Sequence, residues 1–426
     1  MRTRLILMSI VIVGALVSLL RVPAPHLDTV WAEDGELFLQ EALGEGSLSV
    51  IFTGYAGYQH LVPRLITALV LLAPIDLYGL LVFVVCAIIV GLVAAAVFWL
   101  SRDLVPWMPA RLALAGITIL LPLAAQEVLG NMADLHSYGM WLAPWLALYR
   151  PRSWRGGVGW GVVALLVAMT EIQTILFLPL LLLNWRREHR YAWPIAAGLI
   201  IGGLAQVITT ITTPRPSTAQ WLGVRSIVEG YLYNTVAPMA NPDPYWLADV
   251  FVATGVLLPA LVLVPFVVAG VVAFVGGTGR QRLLVVTLAF ASAAIYAGGA
   301  IADGSFTFAY SQMDHSQGFL GIVNSRYGVA SGMMLAAVVP VCAAVVHTRW
   351  PHRAGRVISW ALVVVLTAQF ALASTQSESA RTSGVTWSGG VAEWRTVCRT
   401  DPPADGIAPI PIAPQRTAKV SCDYLG

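Results

Sequence analysis

Apolar runs of 15 to 25 residues recur along this 426-residue chain, separated by short polar connections. Runs of that length with few charges mark membrane-spanning helices. They predict eleven spans, near residues 5–21, 77–100, 112–125, 137–149, 158–169, 174–185, 193–212, 250–275, 283–301, 326–346 and 357–373. Four of these (112–125, 137–149, 158–169 and 174–185) are too short to cross comfortably: about 13 helical residues rise only about 20 Å, against roughly 30 Å of hydrocarbon. Such segments turn back below the outer surface, where polar groups are tolerated only inside protein or along a watery cavity. The expected fold is an all-α polytopic bundle of about eleven membrane segments, several short or re-entrant, around a cavity open to the outer side. Segment 58–75, YQHLVPRLITALVLLAPI, is apolar yet carries His60 and Arg64, and reads as a helix lying at the outer interface. The alternative, an extra short span, would invert everything downstream. No internal repeat is visible, which weighs against transporters built from two related halves.

Composition agrees with a membrane chain and sets soluble classes aside: 58% of residues are apolar, 11% are charged and the mean hydropathy is +0.75. The arginines fix an orientation. Counting Arg2 and Arg4 and the connections at 101–111, 150–155, 184–190, 279–282 and 347–356, 15 of the 25 basic residues fall on one side, with only Asp103 and Glu188 of the 22 acids. By the positive-inside rule that side is cytoplasmic. The expected protein is a multi-pass cell-membrane (inner or plasma) protein with a cytoplasmic N-terminus. Residues 1–373 form the membrane domain, with 22–76 its first outer loop, and 374–426 form an extracytoplasmic tail. The start, MRTRLILMSIVIVGALVSLL, reads as an uncleaved anchor rather than a removed signal peptide. Cys86 and Cys342 lie in apolar runs as packing residues, while Cys398 and Cys422 in the tail are placed to form a disulfide outside the cytoplasm.

Candidate chemistry collects in the outer connections. The stretch AEDGELFLQEAL places Glu33 and Asp34 at the head of an amphipathic helix whose apolar positions are Phe38, Leu39, Ala42 and Leu43. Asp34 is either the N-cap of that helix or, with Glu33, a general base facing the cavity. The second outer turn, QEVLGNMADLHSYGMW, offers Glu127, Asn131, Asp134 and His136. Glu171 sits at the apex of the hairpin in MTEIQTILFLPLLLL, either solvated in the cavity or paired with an arginine that holds the bundle together. Arg326 and Tyr327 open a late span in NSRYG; the guanidinium is suited to phosphate binding, and the plainer reading is an interfacial anchor beside Tyr327. Arg64 with His60 is a second cationic candidate. Asp314 and His315 read as loop residues, with a cavity lid as the alternative. No Walker loop, GxSxG elbow or HExxH is present, so nucleotide use and soluble-type hydrolysis have no support.

Taken in order, AEDG after the first span, an interfacial helix, short hairpins with polar apices and NSRYG resemble the GT-C-type membrane glycosyltransferases over residues 1–350. GNMADLHSYGMW resembles the Asn-x-x-x-Leu-x-x-Tyr turn of an uncharacterised bacterial subset of them. The resemblance implies a GT-C-like bundle and a transferase that moves a sugar, hexosyl or pentosyl, from a polyprenyl-phosphate donor. The acceptor would be a cell-envelope glycan or lipid on the outer face, with a role in cell wall biogenesis and no nucleic-acid partner. It implies Asp34, with Glu33, as the base, and Arg326 with Tyr327 and Arg64 near the donor phosphate. His60, Asn131, Asp134, His136 and Glu171 would be substrate contacts. Glu171 stands where the family's hairpin has a lysine. Some relatives hold a divalent cation (Mg or Mn), for which Glu33, Asp34 and Asp134 would supply oxygen ligands. The tail would be a small strand-rich appendage stapled by Cys398 and Cys422, docked over the cavity or touching the acceptor. A transporter or lipid or glycan flippase is the main alternative, and a membrane scaffold the second.

Overall fold

The computed structural model describes residues 2–214, 220–313, 325–374, 381 and 385–425. Asp314 and His315 lie outside the described residues. The helices are α1 (Arg2–Leu20), α2 (Leu61–Val70), α3 (Tyr78–Leu100), α4 (Met108–Leu120), α5 (His136–Leu148), α6 (Trp154–Ala168), α7 (Trp193–Thr212), α8 (Gly223–Tyr231), α9 (Pro244–Thr254), α10 (Leu257–Gly276), α11 (Gly279–Asp303), α12 (Ser325–Arg349) and α13 (Arg353–Ala373). The tail adds α14 (Trp387–Thr400), an antiparallel hairpin of β1 (Ile407–Ile412) and β2 (Arg416–Ser421), and α15 (Cys422–Leu425). Among the described residues, eight helices are long and apolar enough to cross a membrane, so the chain is a helical membrane protein. All eleven predicted segments are helical, but three of them (α5, α6 and the leg Ile172–Asn184) fall short of that length.

The leg Ile172–Asn184 departs from the expected α-helix. It winds as a 13-residue 3₁₀ helix with Pro179 inside. At about 2.0 Å per residue it reaches roughly 26 Å, where an α-helix of the same length would reach about 20 Å. The tighter winding lets a short run travel almost the full depth of the bundle. Helix α12 lies at the centre, with its apolar length wholly enclosed. Its small residues permit this: Gly328 lies against the carbonyl of Asn234, where no side chain fits.

Contacts sort the connections to two ends. At one end Arg150 Nε donates to Asn184 Oδ1 (2.8 Å), Arg280 Nη2 to the Leu148 carbonyl (3.1 Å) and Gln281 Nε2 to the Leu104 carbonyl (3.1 Å). Trp107 stacks on His347 at that end, with ring centres 4.5 Å apart. The arginine-rich connections therefore gather together. At the opposite end Arg21 caps the close of α4, donating to the carbonyls of Ile119 (2.6 Å), Leu121 (2.7 Å) and Pro122 (3.1 Å). Gln59, from the first loop, donates its backbone N–H to Gln206 Oε1 of α7 (2.7 Å). The amphipathic α2 lies there too, burying Leu61, Pro63, Ile66 and Val70 and exposing Leu65 and Leu69.

The tail is joined by the Cys398–Cys422 disulfide, and Cys86 and Cys342 are buried and unbonded. Among the described residues, none of the tail lines a cavity with the membrane helices. The tail docks on the outer surface of loop 22–76: Ala32 N donates to the Ala413 carbonyl (2.6 Å), and Ala413 N to the Val30 carbonyl (3.0 Å). Arg395 grips Asp76 through two bonds (2.7 and 2.9 Å), Arg416 pairs with Glu36 (2.5 Å), and Trp387 Nε1 donates to the Ile75 carbonyl (2.6 Å). Loop 22–76 and the tail are thus fixed to each other on the same end of the bundle.

Candidate functional site

The acid-rich end holds a cavity of about 350 Å³. Its walls come from the first loop (Glu33, Tyr55, Ala56, Gly57, Tyr58, His60), the second turn and α5 (Ala133, Asp134, His136, Ser137, Met140) and the apex of the 3₁₀ leg (Glu171, Ile172, Gln173). Thr210 of α7, Ile295, Gly299 and Ala302 of α11, and Arg326 and Tyr327 of α12 close it. Of the predicted site residues, Glu33, His60, Asp134, His136, Glu171, Arg326 and Tyr327 meet there. Asp34, Arg64 and Asn131 do not line it.

Asp34 is neither an N-cap of its own helix nor a cavity group. The stretch winds as π-type turns, Asp34–Leu39 and Ala42–Gly46, with no side-chain cap. Its apolar residues are on the expected inward side, with Phe38, Leu39 and Ala42 buried. Asp34 goes inward with them and is 0% exposed. Its Oδ2 accepts from Met132 N (2.8 Å) and its Oδ1 from Ala133 N (3.1 Å), so it caps the second turn rather than its own helix. Burial raises its pKa to about 8, against the pull of those two amides and of the Arg381 charge. Of the candidate oxygen ligands Glu33, Asp34 and Asp134, only Glu33 and Asp134 line the cavity, and each Asp34 oxygen accepts a backbone bond behind its wall. Among the described residues no three His, Cys, Asp or Glu side chains converge as a metal site.

The brace holds the turn that carries Asp134 and His136. Asn131 completes it locally: its Nδ2 donates to Asp134 Oδ2 (2.7 Å) and its Oδ1 accepts from Asp134 N (3.3 Å). Asn131 is therefore a turn residue behind the cavity wall. His136 opens α5 with its ring between two carboxylates: Nε2 is 3.4 Å from Asp134 Oδ1, and Nδ1 is 2.5 Å from Glu171 Oε2. Glu171 is fixed in turn by accepting from Gln173 N (2.7 Å) at the head of the 3₁₀ leg. An arginine partner for Glu171 was one of the two expectations; its partner is His136, which comes from the neighbouring helix.

Arg326 reaches Glu127 Oε1 (3.0 Å), its side chain 36% exposed, and lies 5.2 Å from the Tyr327 ring centre. Tyr327 donates to Asp303 Oδ2 (2.9 Å). Arg64 is in a different place from the one expected. It is buried beneath the first loop, with Nη1 2.6 Å from Glu41 Oε2 and its guanidinium 5.5 Å from the Phe38 ring. It does not line the cavity, whereas His60, four residues before it, does.

Sequence reading did not single out three contributors. Tyr55 and Tyr58 flank a tight turn at the cavity edge, for which Tyr-Ala-Gly-Tyr was the available signal. Arg381 of the tail is fully buried; its Nη1 donates to the Thr29 carbonyl (3.1 Å) and its charge acts on Asp34. It lies hundreds of positions from its partners, and nothing local to it marks the role. No family model, curated protein or solved structure matches the chain.

Proposed function

We propose that the chain is a membrane glycosyltransferase of the GT-C type, moving a hexosyl or pentosyl unit from a polyprenyl-phosphate donor to an envelope glycan or lipid on the outer face. The observation that carries this reading is the cavity itself. Glu33, the Asp134–His136–Glu171 cluster and Arg326 come from four separate segments and face one enclosed space. In the reaction an acceptor hydroxyl attacks the anomeric carbon while Glu33 takes its proton. The new C–O bond forms as the bond to the phosphate oxygen breaks, and the electron pair leaves with the polyprenyl phosphate. Arg326, on the first turn of α12 in the cavity lining, stabilises that departing charge. Asp34 is a positioning residue: it fixes the amides of Met132 and Ala133 and so the turn that carries Asp134 and His136.

The docked tail supports an eleven-crossing topology. Loop 22–76 and the tail share one face, so an even number of crossings separates them. Seven of the eight long helices lie between them, which is odd. An odd number of the shorter apolar helices therefore crosses as well. In the proposed topology α5, α6 and the 3₁₀ leg are the additional crossings, eleven in all. The positive-inside rule puts the arginine-rich end in the cytoplasm and the cavity outside, where lipid-linked donors need no nucleotide.

A proton-coupled transporter is the second reading, and the observation that favours it is His136 held between two carboxylates. Deletion of the gene followed by compositional analysis of the envelope glycans separates the two. Loss of one sugar or linkage supports the transferase; an unchanged glycan profile with altered uptake or export of a solute supports transport.

A further inference from the structure

We propose that the first-loop wall of the cavity is a subsite for one uncharged, hydroxyl-rich ring, a neutral glycosyl unit that stacks on Tyr58 and donates a hydrogen bond to His60. The proposal deepens the reading above and rests on it for the reaction, but not for the binding.

The wall is a built surface. Tyr55 and Tyr58 exchange both backbone bonds (3.0 and 3.1 Å) around Ala56 and Gly57, whose φ values are +51° and +88°. An alanine in the left-handed region is unusual and persists only where its surroundings impose it. Here α7 imposes it: Thr210 Oγ1 donates to the Gly57 carbonyl (2.7 Å), and Gln59 Nε2 donates to Thr209 Oγ1 (2.8 Å). A side chain at Gly54 would collide with the Thr209 methyl group, so the strand into the turn is held as closely as backbone allows. This rigid edge presents Tyr58 with its ring centre 4.1 Å from that of His60.

His60 is 3% exposed and lines the cavity, with the Tyr55 backbone beside its ring. Burial, with the charges of His136 and Arg64, lowers its pKa to about 3 against an opposing pull from the Tyr55 backbone carbonyl, so at neutral pH one nitrogen faces that carbonyl as donor and the other is left as an acceptor. An acceptor in that place suits a hydroxyl, which can donate to it. Charge points the same way. Three acidic side chains line the cavity (Glu33, Asp134, Glu171) against Arg326 and His136, leaving it net negative even with His136 protonated. Carboxylates accept readily from sugar hydroxyls and repel uronates and sugar phosphates, while the phosphate of a lipid-linked donor would be met by Arg326 on α12. At about 350 Å³ the space is at the small end of the ~300–1,000 Å³ usual for ligand pockets, fit for one ring rather than a chain.

The test is ligand-observed NMR on the full chain in lipid nanodiscs. The neutral probes are methyl glycosides of hexoses and pentoses; the anionic probes are methyl glucuronide and glucose 6-phosphate. Neutral glycosides are expected to bind at least about tenfold more tightly than the anionic probes, the order set by one like charge several Å away in a partly buried site. Tyr58→Leu, which keeps the bulk, is expected to weaken neutral binding about tenfold, within the ~1 kcal/mol range of aromatic contacts. Should that variant fail to fold, Tyr55→Leu serves, with folding checked by circular dichroism. Glu33→Gln with Asp134→Asn is expected to narrow the neutral–anionic gap. Equal or tighter anionic binding, neutral binding indifferent to both tyrosines, or no neutral binding at all overturns the proposal. Tyr58-dependent glycoside binding by a protein that transfers nothing would instead sink the transferase reading and leave the subsite standing.

Discussion

Asp34→Asn distinguishes a brace from a cavity base. The wild-type carboxyl accepts two backbone N–H bonds, at 2.8 Å from Met132 and 3.1 Å from Ala133, in a site with no exposure. Asparagine keeps one acceptor oxygen and turns an NH₂ donor toward the other amide. One buried N–H is left facing a donor, and such a group costs about 1–3 kcal/mol. The freed segment begins the turn that carries Asp134 and His136, so turnover falls through displacement of the cavity wall. It is expected to fall less than in Glu33→Gln, where loss of the proposed general base would cost about 10²–10⁴-fold. The assay is thermal unfolding in nanodiscs at pH 6, beside turnover of the same preparations. Asp34→Asn is expected to lose stability, and Glu33→Gln, on a half-buried side chain, to keep it. An Asp34→Asn protein as stable as wild type but as inactive as Glu33→Gln would refute the reasoning and return the base to Asp34.

Three further outcomes follow from the geometry. The raised pKa of Asp34 means that the folded state favours its protonated form, so its stabilising contribution is complete below the ordinary carboxyl range near pH 4 and is lost as pH rises through about 8. Unfolding measured at pH 5, 7 and 9 should fall more steeply for wild type than for Asp34→Asn, and parallel profiles would contradict this. His136→Phe leaves Asp134 and Glu171 without their shared cation. A loss of roughly 1–3 kcal/mol is expected, less than the 3–5 kcal/mol of a fully buried pair because the His136 side chain is 21% exposed. Adding Glu171→Gln should restore part of that loss in the same unfolding assay, and no restoration would argue against the shared partner. Reducing Cys398–Cys422 should lower the stability of the tail by about 2–4 kcal/mol. Limited proteolysis should then cut residues 385–425 before any membrane helix, and an unchanged digest would count against a tail held by that link.

The coarse architecture was legible because its causes are local. Hydrophobic run length placed the helices, and the segregation of arginines anticipated the two ends that the contacts of Arg150, Arg280 and Gln281 bring together. Shortness alone implied that Glu171 and His136 sit at apices facing a common space. The order within AEDG was not legible. Adjacent positions on a helical turn point in different directions, and which one meets the cavity depends on a π-type winding that apolar spacing does not reveal. Arg64 illustrates a second limit. Its neutralisation by Glu41 lies 23 positions away in sequence, and nothing at either residue distinguishes that pair from a free cation beside His60. Arg381 shows the same limit at greater distance, reaching Thr29 across 352 positions. The edge Tyr55–Tyr58 was missed because its meaning comes from α7, through Thr209 and Thr210, and not from its own composition.

The most direct test of the central claim is transfer by the purified protein in nanodiscs. The donors offered are polyprenyl-phosphate hexoses and pentoses, with an envelope glycan extract as acceptor, and release of polyprenyl phosphate is followed over time. The account predicts release with at least one donor, dependent on acceptor and slowed about 10²–10⁴-fold by Glu33→Gln. Release at the same rate in Glu33→Gln, or none with any donor while a solute crosses the membrane in a His136-dependent way, would contradict it.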